Sequence, residues 1–427
     1  MLIRCIAVMV LFSLPLWAQT DETIYREFQF DFATPGARAN AMGRAFVGLA
    51  DEATAAYNNP AGISVLARPE LSIEFRSSNT QFSFLQETAA FELIGGTAEA
   101  TEESSDKIGF ASLTFSVRET ALSVFFVNHL DYQRNTPDAE LTRWLSVDRG
   151  YEFTYINQHQ VAMSIDTLGL SVSRRWGRFS LGGAFGLSKL AVDYQYSTRL
   201  SSDFFSPQLN EVVESQAHAT SQKGTFVLGA LLEFNQHANV GLVFKRQPDF
   251  RYDERVNNPQ FPPDEFPGGQ DFAINLKVPD SLNLGFSYQP NDLTTILLDL
   301  DWIRYKQLTG DDFTIISGER FSAADYESPD VIEWHLGTEY LIPTDKTIVA
   351  LRAGAFLDPD HKTRFVGPQD DEFGEIQDFI FNFGQLNDNV GFTAGVGFVW
   401  RNRIQVDLAA VRSNRFDWLV TSVLYRF

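Results

Sequence analysis

The sequence predicts an all-β protein: a transmembrane antiparallel β-barrel of about 14 strands, with an N-terminal plug, or hatch, in its lumen. Three observations predict this fold. Apolar and polar residues alternate at strand spacing, short and long connections alternate along the chain, and the last strand ends in an aromatic residue. We expect a signal peptide at residues 1–18, the plug at residues 19–69 and the barrel at residues 70–427.

Period-two alternation indicates strands. It is clear in residues 179–189, where Phe179, Leu181 and Phe185 share one face and Ser180 and Ala184 share the other. Residues 282–289 and 392–401 repeat the pattern. A water-soluble sandwich shows the same alternation, so periodicity alone does not place the chain in a membrane.

The connections point to a membrane barrel. Short links recur, for example at Arg118-Glu119, Trp176-Gly177 and Arg401-Asn402. Long polar segments lie between them, at residues 93–106, 133–158, 197–221, 253–279, 308–331 and 358–390. Bacterial barrels alternate short periplasmic turns with long outer loops in this way. The count is about fourteen strands if residues 70–92 form a single strand, whereas a turn at Ser78-Asn79-Thr80 would make about fifteen. Both termini then lie on the periplasmic side.

The N-terminus has the features of a secretory signal. Arg4 is followed by an apolar stretch at residues 6–16, and Ala18 offers a small residue for cleavage. The single cysteine, Cys5, lies inside this signal, so the mature chain should have no disulfide and no thiolate metal site. The net charge of −21 argues against nucleic-acid binding, which requires a basic surface. We therefore expect the protein in the cell outer membrane, in contact with membrane lipid and lipopolysaccharide.

The final strand carries a second export feature. Leu419, Val423, Tyr425 and Phe427 share one face, and such a C-terminal strand is typical of what barrel-assembly machinery reads. Aromatic residues near predicted strand ends suit interfacial girdles: Trp176, Tyr252, Tyr288, Trp302, Tyr305, Trp334, Tyr340 and Trp400.

No pattern points to an enzyme. None of the six histidines forms a His-x-x-x-His pair or a His-Glu-x-x-His motif. A Gly-x-Ser-x-Gly nucleophile elbow is also missing from the sequence. We expect no catalytic residue, no bound metal and no cofactor.

The segment before the barrel is rich in small residues and lacks alternation. Its motifs resemble the N-terminal signature of FadL-type outer-membrane transporters: Pro35-Gly36-Ala37-Arg38-Ala39, Ala41-Met42-Gly43-Arg44-Ala45, residues 49–57, and Asn59-Pro60-Ala61-Gly62. A second resemblance is Val278-Pro279-Asp280, which leads into a strand near the middle of the barrel. The broad superfamily includes channels for long-chain fatty acids and aromatic hydrocarbons, as well as PorV-type proteins.

The resemblance implies a fourteen-stranded monomeric barrel with a hatch. It also implies passive uptake of hydrophobic small molecules, such as long-chain fatty acids or hydrocarbons, with hatch-gated lateral release. Asn59, Pro60 and Ala61, followed by Gly62, would lie beside a kinked early strand, at residues 107–117 or 120–132, with Gly109 as a candidate kink. The alternative for residues 59–62 is a structural role without gating, as a turn that ends the plug.

A second function stays open: a PorV-type barrel that transports nothing and docks secreted or surface proteins. The lumen distinguishes the two functions. A channel needs a continuous apolar path to a gap in the wall, whereas a docking barrel needs a sealed lumen and an exposed apolar patch on its outer loops.

Overall fold

The fold was analysed on a computed structural model, which describes residues 32, 34–87, 96–144, 152–202, 211–257, 270–310, 322–370, 378 and 388–427. The predicted signal peptide, residues 1–18, lies outside the described residues. Two short helices, α1 (Ala37–Ala41) and α2 (Ala55–Asn58), precede a 3₁₀ helix at Pro60–Val65, and further 3₁₀ turns lie at Tyr305–Gln307 and Ala323–Asp325. None of the helices in the described ranges is long and apolar enough to cross a membrane.

The chain otherwise forms strands. They are β1 (Glu70–Glu87), β2 (Gly96–Val117), β3 (Thr120–Trp144), β4 (Glu152–Trp176), β5 (Phe179–Ser202), β6 (Glu211–Asn235), β7 (Ala238–Arg246), β8 (Asp249–Asn257), β9 (Gln270–Lys277), β10 (Ser281–Asn291), β11 (Thr294–Ile303), β12 (Tyr326–Glu327), β13 (Val331–Pro343), β14 (Thr347–Asp358), β15 (Arg364–Phe365), β16 (Asn389–Trp400), β17 (Ile404–Ser413) and β18 (Phe416–Arg426).

Fourteen of these strands close into one antiparallel barrel. The order is β5-β4-β3-β2-β1-β18-β17-β16-β14-β13-β11-β10-β7-β6, and β6 pairs back onto β5. The remaining four form two small additions: the hairpin β8–β9, which pairs with the outer end of β6, and the ribbon β12–β15 in the loops. The predicted fourteen-stranded barrel is confirmed.

The wall has its apolar side outside. On β13, Ile332, Trp334 and Leu336 keep 48%, 49% and 54% of their surface exposed, while Glu333 and His335 between them are buried in the interior. A soluble sandwich would bury the apolar face instead. An outward apolar band over a polar interior is the arrangement that lipid requires, because a closed barrel also pairs every wall strand.

The girdle prediction holds for six of the eight aromatic residues and is wrong for Tyr252 and Tyr305. The six expose their rings on the outside of the barrel: Trp176, Tyr288, Trp302, Trp334, Tyr340 and Trp400. Tyr252 and Tyr305 are buried inside. Both belong to segments that fold back over the outer mouth, a placement that local strand pattern does not reveal.

Much of what was expected to be outer loop is strand. β2 starts at Gly96, β3 reaches Trp144, and β5 and β6 extend into the predicted loop at residues 197–221. These extensions are polar, because above the lipid neither face needs apolar side chains. The alternative turn at Ser78–Thr80 is also wrong, since these residues pair with β18 on one side and β2 on the other.

Candidate functional site

The N-terminal segment (residues 34–69) packs against the inward faces of the wall strands. Ala37, Ala39 and Ala41 have no exposed surface. Inward glycines of the wall face the later part of the segment, between Met42 and Ala61, and leave no room for a side chain: Gly182, Gly229, Gly241, Gly285, Gly337 and Gly354. A Cβ added at Gly337, for example, would lie 2.3 Å from the carbonyl oxygen of Met42. Small residues on both sides therefore let the backbone of the segment touch the wall.

Polar side chains of the wall bond to the backbone of this segment. Asp299 Oδ2 on β11 accepts hydrogen bonds from the N–H groups of Phe46 (2.6 Å) and Val47 (2.7 Å). Thr393 Oγ1 on β16 accepts from Gly43 N–H at 2.8 Å and donates to the carbonyl oxygen of Ala41 at 3.0 Å. Buried N–H groups need such partners, so these bonds fix the path of the segment.

A charge network inside the barrel links the N-terminal segment to strands β13, β14 and β17 of the wall. The Arg38 guanidinium contacts Asp51 at 2.6 Å and Glu339 at 2.9 Å. Glu339 is shared with Arg352 (2.7 Å), which also bonds Asp407 (2.7 Å). Buried charges are stable only when paired and hydrogen-bonded, and this network meets that requirement.

Glu52 lies in the same region, but its contacts with positively charged and donor groups are longer than those of the Arg38 network. Its carboxylate lies 3.6 Å from the Arg38 guanidinium and 3.4 Å from Gln405 Nε2. Burial raises the pKa of Glu52 to about 7, because the loss of hydration outweighs the attraction of Arg38. Glu52 is therefore the group in the segment whose charge changes near neutral pH.

The predicted hatch residues, Asn59 to Gly62, pack against β4–β7. Asn59 Nδ2 donates to the carbonyl oxygens of Val47 (2.9 Å) and Ala230 (3.2 Å), and its Oδ1 accepts from Ala61 N–H. Pro60 would collide with a Cβ at Gly182, and the Cβ of Ala50 leaves no room for one at Gly62. Asn59 also caps the 3₁₀ helix that follows, as a turn residue would.

The wall splits between β2 and β3. Backbone pairing joins these strands from Val117↔Thr120 up to Phe110↔Val127 and stops there. Beyond this point β2 pairs only with β1, and β3 pairs only with β4. A register shift marks the split on each strand, at Gly109 on β2 and at His129 on β3. Gly109, the candidate kink, therefore lies at the lower edge of the split.

Side chains bridge the split farther out. Lys107 Nζ and Ser105 Oγ both donate to the Asp131 carboxylate, and Asn135 N–H donates to Glu103 Oε1 at 3.0 Å. We call the stretch without backbone pairing, between the Phe110↔Val127 pair and these bridges, the window. Ile108 at its edge is 47% exposed to the outside.

A tyrosine from α2 lies on the lumen side of the window. Tyr57 O–H lies 3.0 Å from His129 Nδ1 and accepts from Gln247 Nε2 at 3.1 Å. Its ring packs edge-on against the His129 ring, with 4.7 Å between centroids. Tyr57 and His129 were not singled out from the sequence, because a contact across 72 positions leaves no local pattern.

The outer half of the lumen holds an apolar cluster. Its members come from β3–β5, from the hairpin β8–β9 and from loop segments over the mouth, and we call it the outer-lumen cluster: Leu130, Tyr132, Val161, Met163, Ile165, Leu190, Val192, Tyr194, Phe250, Tyr252, Ile274, Leu276, Tyr305, Leu308, Tyr326 and Phe365. Leu130 follows His129 directly, so the cluster reaches the edge of the window.

A small polar cavity lies under the outer-lumen cluster. Its volume is about 30 Å³, and Arg44, Lys245, Asp301, Glu333 and His335 are among its lining residues. That volume holds about one water molecule. Within the described ranges no three metal-ligating side chains lie together.

Comparisons with known proteins agree with this architecture. The FadL homologue of Pseudomonas aeruginosa superposes with a TM-score of 0.67 at 12% identity, over 94% of this chain and 100% of that chain. The toluene transporter TodX of P. putida gives 0.62 at 12% identity over 93% and 99%. The toluene transporter TbuX of Ralstonia pickettii gives 0.57 at 12% identity over 93% and 99%. No curated protein sequence matches the chain.

The family model described as outer membrane protein transport protein (OMPP1/FadL/TodX) matches residues 146–366, more than half of the chain. The predictions of an outer-membrane location and of a transport protein rather than an enzyme are confirmed by this match. The chain belongs to the FadL/TodX family of outer membrane transport proteins.

Proposed function

We propose that this protein is a passive channel for hydrophobic small molecules, which enter through the outer-lumen cluster and leave sideways through the window into the bilayer. One observation carries the proposal: the wall splits where the apolar cluster ends and just above the bonded N-terminal segment. A molecule that follows this route passes from the apolar cluster to the lipid and meets polar groups only at the window edge, where Tyr57, His129 and the Lys107–Asp131 bridge lie.

The physical reason for a side exit is the polarity of the periplasmic half. Below the cluster an apolar molecule would meet Lys245, Glu333 and the Arg38 network. Displacing their partners would leave buried charges unpaired, which is strongly unfavourable. Transfer through the window exchanges one apolar surrounding for another, so no apolar surface has to be exposed to water.

We assign the role of hatch to the N-terminal segment. Asn59, Pro60, Ala61 and Gly62 hold its turn against β4–β7. Tyr57, two residues earlier, bonds to His129 at the window. A shift of α2 would therefore move Tyr57 relative to the window edge, while the turn at Asn59 serves as a fixed point.

The substrate class in this proposal is neutral, largely apolar molecules, with hydrocarbons and long-chain fatty acids as the main candidates. The tyrosine and phenylalanine rings of the outer-lumen cluster suit aromatic ligands, since ring pairs gain attraction beyond the area they bury. The relatives named as toluene transporters support the same class.

Locking the outer edge of the window is the direct test. The chain has no cysteine other than Cys5, so a Ser105→Cys, Asp131→Cys pair can be joined at that edge with a short reducible thiol linker, which would prevent β2 and β3 from separating there. Asp131→Cys with Ser164→Cys is the matched control, because these two residues already face each other in the β3–β4 pairing. Uptake of radiolabelled toluene and palmitate by cells that depend on this protein is then measured before and after reduction.

We expect the window cross-link to abolish uptake and reduction to restore it, with no such effect in the control pair. Unchanged uptake with the cross-link in place would contradict lateral release. If neither ligand is taken up by the unmodified protein and a secreted protein co-purifies with it, the docking alternative replaces the channel.

A further inference from the structure

The outer surface of the barrel carries a groove far from the window. It crosses β4–β7 and β10 and has a volume of about 630 Å³, within the range of about 300–1,000 Å³ that small-molecule pockets occupy. Its walls are lipid-facing apolar side chains: Val172, Leu181, Leu228, Leu242, Phe244 and Leu282. Its floor is made by Gly183 and Ala230, which also point outward.

Packing in the lumen does not explain why the floor of the groove is made of such small residues. The inward neighbours Gly182 and Gly229 must lack side chains, because a Cβ there would lie 2.3 Å from the Pro60 carbonyl carbon and 2.2 Å from Asn59 Oδ1. A Cβ at Gly183 would meet nothing closer than 3.7 Å. The structure would accept a side chain at position 183, and its absence keeps the groove open toward the lipid.

The groove lies at the depth of the periplasmic leaflet and has a basic rim. Arg174 is two residues from Trp176, which ends β4 at a short turn, and its guanidinium lies 5.5 Å from the Trp176 ring centroid. Tryptophan at this place marks the membrane interface. Among the described residues Arg174 has no acidic partner, whereas the neighbouring Arg175 is paired with Glu233 at 2.7 Å.

We propose that the groove binds one phospholipid of the periplasmic leaflet, with an acyl chain over Gly183 and Ala230 and the phosphate on Arg174. A guanidinium matches phosphate oxygens with two parallel hydrogen bonds, and an acyl chain fills a concave apolar surface that a flat bilayer would cover poorly. The wall behind the groove is continuously paired from β4 through β7, so the groove is not a second exit from the lumen.

Filling the groove tests the acyl-chain part. Gly183→Leu places a side chain on the floor, where its Cβ would meet no atom closer than 3.7 Å, and Ala353→Leu on β14 is a matched lipid-facing control away from the groove. Each protein is purified in detergent, stripped of lipid, equilibrated with phosphatidylglycerol and phosphatidylethanolamine vesicles, and examined by native mass spectrometry. We expect one retained phospholipid in the unsubstituted protein and in Ala353→Leu, and none in Gly183→Leu. Equal retention in all three would overturn the proposal.

Arg174→Gln tests the phosphate part, with Arg401→Gln as control. Arg401 also stacks on a tryptophan, Trp400, with its guanidinium 4.8 Å from the ring centroid, but it lies outside the groove. We expect Arg174→Gln to lower phospholipid retention about threefold, as loss of a single exposed ionic contact would. Retention of diacylglycerol, which lacks the phosphate, should not change. The proposal would be overturned if diacylglycerol bound as strongly as phospholipid. It would also be overturned if a second copy of the chain occupied the groove in place of lipid.

Discussion

The two halves of the lumen are held by different forces. In the periplasmic half, directional bonds fix the N-terminal segment: Asp299 holds two backbone N–H groups, and Glu339 lies between Arg38 and Arg352. The outer half is filled mainly by apolar and aromatic side chains, which pack together in the outer-lumen cluster. The contrast shows that a ligand can displace side chains in the outer half at a lower cost in free energy than in the periplasmic half. An apolar ligand can replace an apolar side chain, but it cannot replace a hydrogen bond.

The window lies where the halves meet. Tyr57 belongs to the bonded half and Leu130 to the apolar half, and the split in the wall adjoins both. This position lets a ligand leave the apolar half without entering the bonded one.

Adjacent glycines on β5 should respond in opposite ways. Gly182→Val would drive a Cβ to within 2.3 Å of the backbone of Pro60, whereas the Cβ of Gly183→Val would come no closer than 3.7 Å to any neighbouring atom. We expect Gly182→Val to cost about 3 kcal/mol or more, as overpacking against backbone does, and to displace the segment. Thermal unfolding and tryptic cleavage at the buried Arg38 report the two effects. Equal behaviour of the two variants would refute close packing of the segment.

Removal of the Asp299 carboxylate should have the next largest effect on stability. Asp299→Ala leaves the buried N–H groups of Phe46 and Val47 without partners, at a cost of about 1–3 kcal/mol each. Hydrogen exchange at these two amides should therefore rise sharply. Asp292→Ala, in the exposed turn before β11, is the control and should leave both amides protected. Protected amides in Asp299→Ala would mean that the segment is held by packing alone.

A polar substitution in the outer half should weaken ligand binding rather than the fold of the segment. Leu190 lies within the outer-lumen cluster and has no exposed surface. We expect Leu190→Asn to lower the affinity for a hydrocarbon about tenfold, since a buried amide without partners opposes an apolar ligand. Leu190→Met conserves volume and should bind nearly as well as leucine. Equilibrium binding to the purified barrel measures both, and equal affinity in Leu190→Asn would exclude the cluster as the ligand path.

The last prediction concerns the pH dependence of stability. Because burial raises the pKa of Glu52 to about 7, the folded state holds a proton there that the unfolded state releases near pH 4.5. The contribution of Glu52 to stability therefore falls as pH rises from about 4.5 to 7 and is constant above that range. Glu52→Gln should remove this dependence, a difference on the order of 1–3 kcal/mol across the range. Parallel stability curves for the two proteins between pH 4.5 and 7 would show that Glu52 stays charged.

The sequence allowed a better prediction of the strands of the barrel wall than of the contacts inside the lumen. Wall strands must alternate because lipid lies on one side, so Phe179 and Leu181 reveal their face locally. Asp299, Tyr57 and His129 act on partners far away in the chain, and no spacing rule marks them. The polar outer ends of β2–β6 were taken for loops because alternation fades above the lipid. Tyr252 and Tyr305 were misplaced for the same reason, since segments that fold over the mouth lack a membrane pattern.

Photolabelling of the folded protein in vesicles with a diazirine-bearing hydrocarbon, followed by peptide mapping, would trace the path of the ligand through the barrel. The route proposed here predicts adducts in the outer-lumen cluster, near Leu190 and Ile274, and at the window edges, at Ile108 and Leu130. It predicts none around Gln405 and Glu52 in the periplasmic half. Labels that continue from the cluster to Gln405, with none at the window, would show that ligand passes straight through the barrel and would contradict lateral release.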